Sequence, residues 1–239
     1  MSGHSKWSKV KHQKATTDVV KSFAFTKASR GIAVAVKEGG GITDPDSNFH
    51  LRLAIEKARE VNMPKENIER AIARGAGEGG AAIEQMMYEG YGPGGVALLV
   101  ETATDNRQRT VSQIKNTLEM AGGNLASPGA VAFQFKRRGV LTVPKQGMTY
   151  DTLLSSAIDA GAEDVVETID LFEVYTQEAD LQKVKQVLES ARIPIEHTAR
   201  IMHPSMPLEV DDALRAKIDD LVAALEELDD VQMVFTNLP

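Results

Sequence analysis

The stretch Gly75-Ala76-Gly77-Glu78-Gly79-Gly80 separates two kinds of hydrophobic pattern, and that change limits what the chain can become. Before it, apolar residues recur at three- and four-residue spacing; after it, short alternating runs are bounded by turn residues. A helical part must therefore precede a part built on sheets. From Thr17 to about Glu38, Val20, Ala24, Ala28, Ile32 and Ala35 make one helical stripe, widened by Phe25 and Val36. Lys27, Arg30 and Lys37 fall together away from it, so this helix is expected to bury one side and present cations on another. Gly39-Gly40-Gly41 ends it, and Asp44-Pro45-Asp46-Ser47 is a turn with N-cap candidates. A second helix is predicted from Ser47 to Val61 and a third from Pro64 to Arg74, with proline in its first turn. Together they predict a three-helix bundle over residues 1–80.

Beyond the glycines, residues 86–91 and 96–101 read as strands around the turn Gly92-Pro93-Gly94-Gly95. Thr104-Asp105-Asn106 caps a helix carrying Val111, Ile114 and Leu118, and residues 130–135 read as a third strand. Residues 138–203 then run strand (139–143), helix (150–160), strand (164–168), strand (171–176), helix (180–191) and strand (193–201). Leu181, Val184, Val187 and Leu188 are expected to point inward from the second of these helices. The order β-α-β-β-α-β is that of a ferredoxin-like unit. An amphipathic helix at 211–228 and a strand at 231–235 remain, and they need a sheet to join. The expected fold is multi-domain, α and β: a three-helix bundle (1–80), an α+β domain (81–135 plus 206–239), and a ferredoxin-like insertion (136–205).

Charge points to function. Residues 1–37 hold eight Lys or Arg against a single acid, Asp18, for +7; the rest holds 19 basic and 33 acidic residues, for −14. A basic arm on an acidic body calls for a polyanionic partner of the arm. Lys6, Lys9, Lys11 and Lys14 are suited to neutralising phosphates, and His12 to contacting them. Trp7, the sole tryptophan, either stacks on an exposed base or wedges beneath the bundle. Lys27 and Arg30 extend this candidate surface, and Arg107 and Arg109 at a helix start form a secondary one.

Enzymatic and metal chemistry find little support. With no cysteine there is no disulfide, thiol nucleophile or thiolate site, which fits a reducing cytoplasm. His4 and His12 sit among cations that repel a metal dication. Two G-x-G-x-x-G matches, at Gly75/Gly77/Gly80 and Gly90/Gly92/Gly95, lack the strand-before-helix context that a dinucleotide site requires. No catalytic residue, cofactor, metal or small-molecule substrate is therefore expected. No apolar run reaches the roughly 18 residues of a membrane span, and none follows the basic start as a signal peptide would. A protein-interaction scaffold, with the insertion as its docking unit, is the competing reading.

The opening Gly3-His4-Ser5-Lys6-Trp7, followed by Lys11-His12 and Lys14-Ala15, resembles the start of the YebC/PmpR family. That family includes the mitochondrial translational activator of cytochrome oxidase. Phe25-Thr26-Lys27, the run from Asn62 to Ile72, and Tyr88-Glu89-Gly90-Tyr91-Gly92-Pro93-Gly94-Gly95-Val96-Ala97 match in order and spacing. So do Thr104-Asp105-Asn106-Arg107, Arg109-Thr110 and Gly122-Gly123-Asn124-Leu125. The resemblance spans essentially the whole chain and implies the same three-domain layout. It also implies a DNA-binding transcriptional regulator or, alternatively, a ribosome-associated translation factor that binds rRNA and relieves stalling on proline-rich stretches. The motif begins almost at residue 1, leaving no room for a transit peptide, so a bacterial cytoplasmic member is expected. One segment departs from the family: Val19-Val20-Lys21-Ser22-Phe23-Ala24 carries a single lysine where relatives are more basic.

Overall fold

The computed structural model describes residues 18–79 and 82–239. Its elements are α1 (Asp18–Glu38), α2 (Phe49–Glu60), α3 (Lys65–Gly75), β1 (Glu84–Tyr91), β2 (Ala97–Thr104), α4 (Arg107–Met120) and β3 (Asn124–Ala126). There follow β4 (Phe135–Pro144), α5 (Tyr150–Ala160), β5 (Asp164–Glu167), β6 (Leu171–Gln177), α6 (Leu181–Ser190), β7 (His197–Pro204), α7 (Asp212–Glu226) and β8 (Val231–Thr236). Seven α-helices and two antiparallel four-stranded sheets thus lie among the described residues. The described residues divide into two compact units, one holding residues 18–79, 82–134 and 208–238, the other residues 135–207.

In the first unit, α1, α2 and α3 close on a core of Ile32, Ala35, Val36, Leu51, Ile55, Ala58, Met63, Ile68 and Ala71. Asn48 fastens the corner between α1 and α2. Its Oδ1 accepts the Leu51 N–H at 3.1 Å, while its Nδ2 donates to the Ala35 and Ile42 carbonyls at 3.1 and 2.9 Å. The N-cap is therefore Asn48 and not a residue of the 44–47 turn, because this buried amide serves α1 and α2 together. Gly75 lets α3 run against α1: a Cβ there would lie 2.8 Å from both the Ala33 carbonyl oxygen and the Val36 Cβ.

The same unit carries the sheet β3-β1-β2-β8. Here β8 pairs antiparallel with β2, and α4 and α7 cover one face through Ile114, Leu118, Leu221 and Leu225 against Leu98, Val100, Val231 and Val234. Of residues 130–135, expected as a strand, 130–134 instead form a loop and a short 3-10 turn, and only Phe135 is extended, as the first residue of β4. The cause is Glu89. Its buried carboxylate accepts the N–H groups of Gly129, Val131 and Ala132 at 2.6–2.8 Å, and the Tyr91 hydroxyl donates to the Ala130 carbonyl at 3.0 Å. Those amides are thereby withdrawn from strand pairing.

The second unit has the order β4-α5-β5-β6-α6-β7, with sheet order β5-β6-β4-β7. Thr149 caps α5 and left-handed Gly161 ends it. At Gly139 a Cβ would meet the Leu181 Cβ at 2.8 Å, which sets how closely α6 approaches β4. Val187, expected inward, is 42% exposed; Leu181, Val184 and Leu188 carry the buried face of α6. Glu173 is buried, and its Oε2 accepts the Tyr175 hydroxyl at 2.6 Å. The His203 ring lies 5.0 Å from the Tyr175 ring, and burial with the nearby Arg138 cation holds it below the usual imidazole value.

Two outcomes follow from these contacts. Gly75→Ala is expected to lower the unfolding free energy by about 1–3 kcal/mol, since backbone and not a flexible side-chain tip must give way; urea denaturation measures it. For Glu89, burial raises the carboxyl pKa, but the three backbone N–H donors outweigh it and leave it below the ordinary value. Its contribution is then complete above the unfolded-state pKa and is lost as pH falls through the lower folded one. Glu89→Gln should cost about 2 kcal/mol near neutrality and less in acid, so stability-versus-pH curves of the two proteins should converge as pH falls.

Candidate nucleic-acid interface

Five consecutive residues of α1, Ile32 to Val36, are buried. A helix buried through more than a full turn has partners on opposite sides. Ile32, Ala35 and Val36 face the bundle, whereas Ala33 and Val34 pack with Ile83 and Ala103. The polar stripe of α1 accompanies this second contact. Lys27 Nζ donates to the Glu226 carbonyl at 2.6 Å, Arg30 donates to the Asp229 carbonyl, and Lys37 Nζ donates to the Ile83 carbonyl at 2.7 Å. The cations do share a face, as their spacing predicts, but that face lies on the end of the neighbouring sheet and helix.

Asp230 is the centre of this contact. Its side chain is 1% exposed, and Arg30 NH1 lies 2.7 Å from its Oδ1. Arg109 NH2 reaches both carboxylate oxygens at 2.8 Å. The hydroxyls of Thr110 and Thr104 donate to Oδ2 at 2.7 and 3.1 Å. The start of α4 builds half of this arrangement. Asn106 caps the helix by accepting the Arg109 N–H at 3.0 Å, which turns Arg109 toward Asp230 and toward Asp105, 2.9 Å away. The Arg109 hydrogen bond holds the Asp105 carboxyl below its usual range despite partial burial, and Asp230 in turn raises the guanidinium pKa. Arg74 adds a longer tie to Asp105 at 3.6 Å.

The sequence-predicted residues thus have different placements. Lys6, Trp7, Lys9, Lys11, His12 and Lys14 lie outside the described residues. Lys27, Arg30 and Arg109 are brought together around the Glu226–Asp230 turn. Arg107 stands apart, 62% exposed, with Nε 2.5 Å from Glu84 Oε2. Asp230 and Asp105 were not anticipated as organising anions. A usable signal for the second contact was the run Gly31-Ile32-Ala33-Val34-Ala35-Val36, apolar all round the helix. Among the described residues no group of three or more His, Asp or Glu side chains is placed to hold a metal ion, and no helix is long and apolar enough to cross a membrane.

Two family models match the chain: the TACO1/YebC N-terminal domain over residues 5–78 and the TACO1/YebC second and third domain over residues 83–238. A "Probable transcriptional regulatory protein" of Sulfurihydrogenibium sp. is 45% identical over 240 residues, covering 99% of this chain and 95% of the relative. One of the same name from Roseiflexus castenholzii is 46% identical over 243 residues, covering 100% and 95%. The crystal structure of a conserved hypothetical protein from Aquifex aeolicus superposes with a TM-score of 0.86 at 42% identity, covering 98% of this chain and 97% of that one.

Because Asp230 is a desolvated anion with two guanidinium partners, removing it leaves the nearly buried Arg30 with the Asp229 carbonyl alone, while Arg109 keeps Asp105. Asp230→Ala should reduce stability by about 1–3 kcal/mol. Arg107→Ala, which breaks only an exposed pair, should change it by less than about 1 kcal/mol. Thermal or denaturant unfolding of the two variants side by side tests the contrast.

Proposed function

The chain belongs to the TACO1/YebC family, and from that premise we propose that it is a nucleic-acid-binding regulator of gene expression, acting as a DNA-binding transcriptional regulator. The regulatory role is supported by the names of relatives about 45% identical along almost their whole length. The binding role rests on one observation, the basic opening segment. Lys6, Lys9, Lys11 and Lys14 occur there with no acid before Asp18. Such a segment is suited to a phosphate backbone, whose charge dominates affinity and is sequence-independent. In this reading, residues 1–80 form the gripping domain, with His12 and Trp7 beside the lysines. Residues 81–135 with 206–239 are its base, and the ferredoxin-like 136–205 is an insertion available to further partners.

Titration against a DNA duplex across a salt series tests the proposal. Contact with about six phosphates of a duplex predicts a slope of about −5 in log K against log salt. Deleting residues 2–14 should remove most of the affinity. A flat salt response, or binding that survives the deletion, would sink the reading. Crosslinking in cells assigns the target: promoter DNA is the expected product, and recovery of rRNA instead would move the function to translation.

A further inference from the structure

The contact between α1 and the end of the sheet joins a small apolar patch to several charged groups. Its apolar part is Ala33, Val34, Ile83 and Ala103, two of the four being alanine. Its polar part includes Lys27 on the Glu226 carbonyl, Arg30 on the Asp229 carbonyl and Asp230, and Lys37 on the Ile83 carbonyl, with Arg109 of α4 sharing Asp230. A second observation shows that the fit is incomplete. Gln232, on β8, lies against α1, where a Cβ on Gly31 would come within 3.3 Å of its Oε1. Its Nε2 is buried and has no hydrogen-bond partner among the described residues. A donor left this way is penalised in the closed arrangement and regains water when the contact opens.

The Asp230 carboxylate is met as an anion is met in a phosphate site, by two guanidinium groups and two hydroxyls. Lys27 and Arg30 are also, with Lys21 and Lys37, the cations of α1 that continue the basic segment along the chain. We propose that Asp230 is an internal stand-in for phosphate, so that a nucleic-acid backbone competes for Lys27, Arg30 and Arg109 and opens the contact between α1 and the β8 end of the sheet. This rests on the nucleic-acid reading above and adds regulation to it: the closed chain withholds part of its own basic surface.

The absence of cysteine makes the test direct. Spin labels on Lys21→Cys and Lys115→Cys, both exposed, report the separation of α1 from α4 by pulsed electron resonance. Binding of a 20-base-pair DNA duplex is followed on the same samples by fluorescence anisotropy. The expected result is a longer or broader distance distribution once the duplex is bound. Asp230→Asn should show that distribution without DNA and bind about tenfold tighter, the factor for abolishing a closed state populated about nine times in ten. In otherwise native protein, Arg30→Gln should lower the salt slope by about one. Bound DNA with an unchanged distance would overturn the inference and leave the nucleic-acid reading standing. No binding at all would overturn both. Should Asp230→Asn not fold, the labelled chain with native Asp230 still decides the matter.

Discussion

The buried carboxylate of Asp230 is the interaction on which the first unit depends. It lies just before β8, beneath the N-terminus of α4 and against the polar stripe of α1, so three segments far apart in the chain meet on two oxygen atoms. Its partners are matched in kind. Arg30 and Arg109 supply charge, while Thr104 and Thr110 supply hydroxyls that occupy the remaining lone pairs. A desolvated ion pair contributes favourably only when the rest of its hydrogen bonding is complete. Here the threonines complete it, and their burial follows from that role.

Glu89 plays a related part elsewhere in the unit. Where Asp230 joins side chains, Glu89 collects backbone amides, and residues 129–132 follow its two oxygens in place of a neighbouring strand. Both are acids in a chain of net charge −7, and neither belongs to the solvated acidic surface that accounts for that sum. A net charge describes long-range attraction or repulsion; it does not say which carboxylates hold the interior together.

Much of the fold was legible where the determinants are local. The helix at 150–160 has its cap at Thr149 and its stop at Gly161 within the segment itself, and its limits were readable to the residue. The helix ending at Gly75 and the strand pair around residues 92–95 were likewise announced by proline and glycine. Failures arose where a distant group decides. The residues 130–134 look like a strand until Glu89, some forty residues away, takes the amides of Val131 and Ala132. For the site, periodicity placed Lys27 and Arg30 on one face of a helix but carries no information about what that face meets. The uninterrupted apolar run at 31–36 held that information, because one buried side needs no such run.

The doubly buried α1 has a consequence for how this chain can vary. Each residue added to a helix turns everything beyond it by about 100°. A one-residue insertion between Arg30 and Ile32 would swing Ile32, Ala35 and Val36 off the bundle while turning Ala33 and Val34 off Ile83 and Ala103. Two cores would lose registration at one stroke, with no rotation that restores both. The loop at 39–47 carries no such double obligation. Changes of length in this part of the chain should therefore gather there, leaving the helix as a fixed-pitch gauge between its two neighbours.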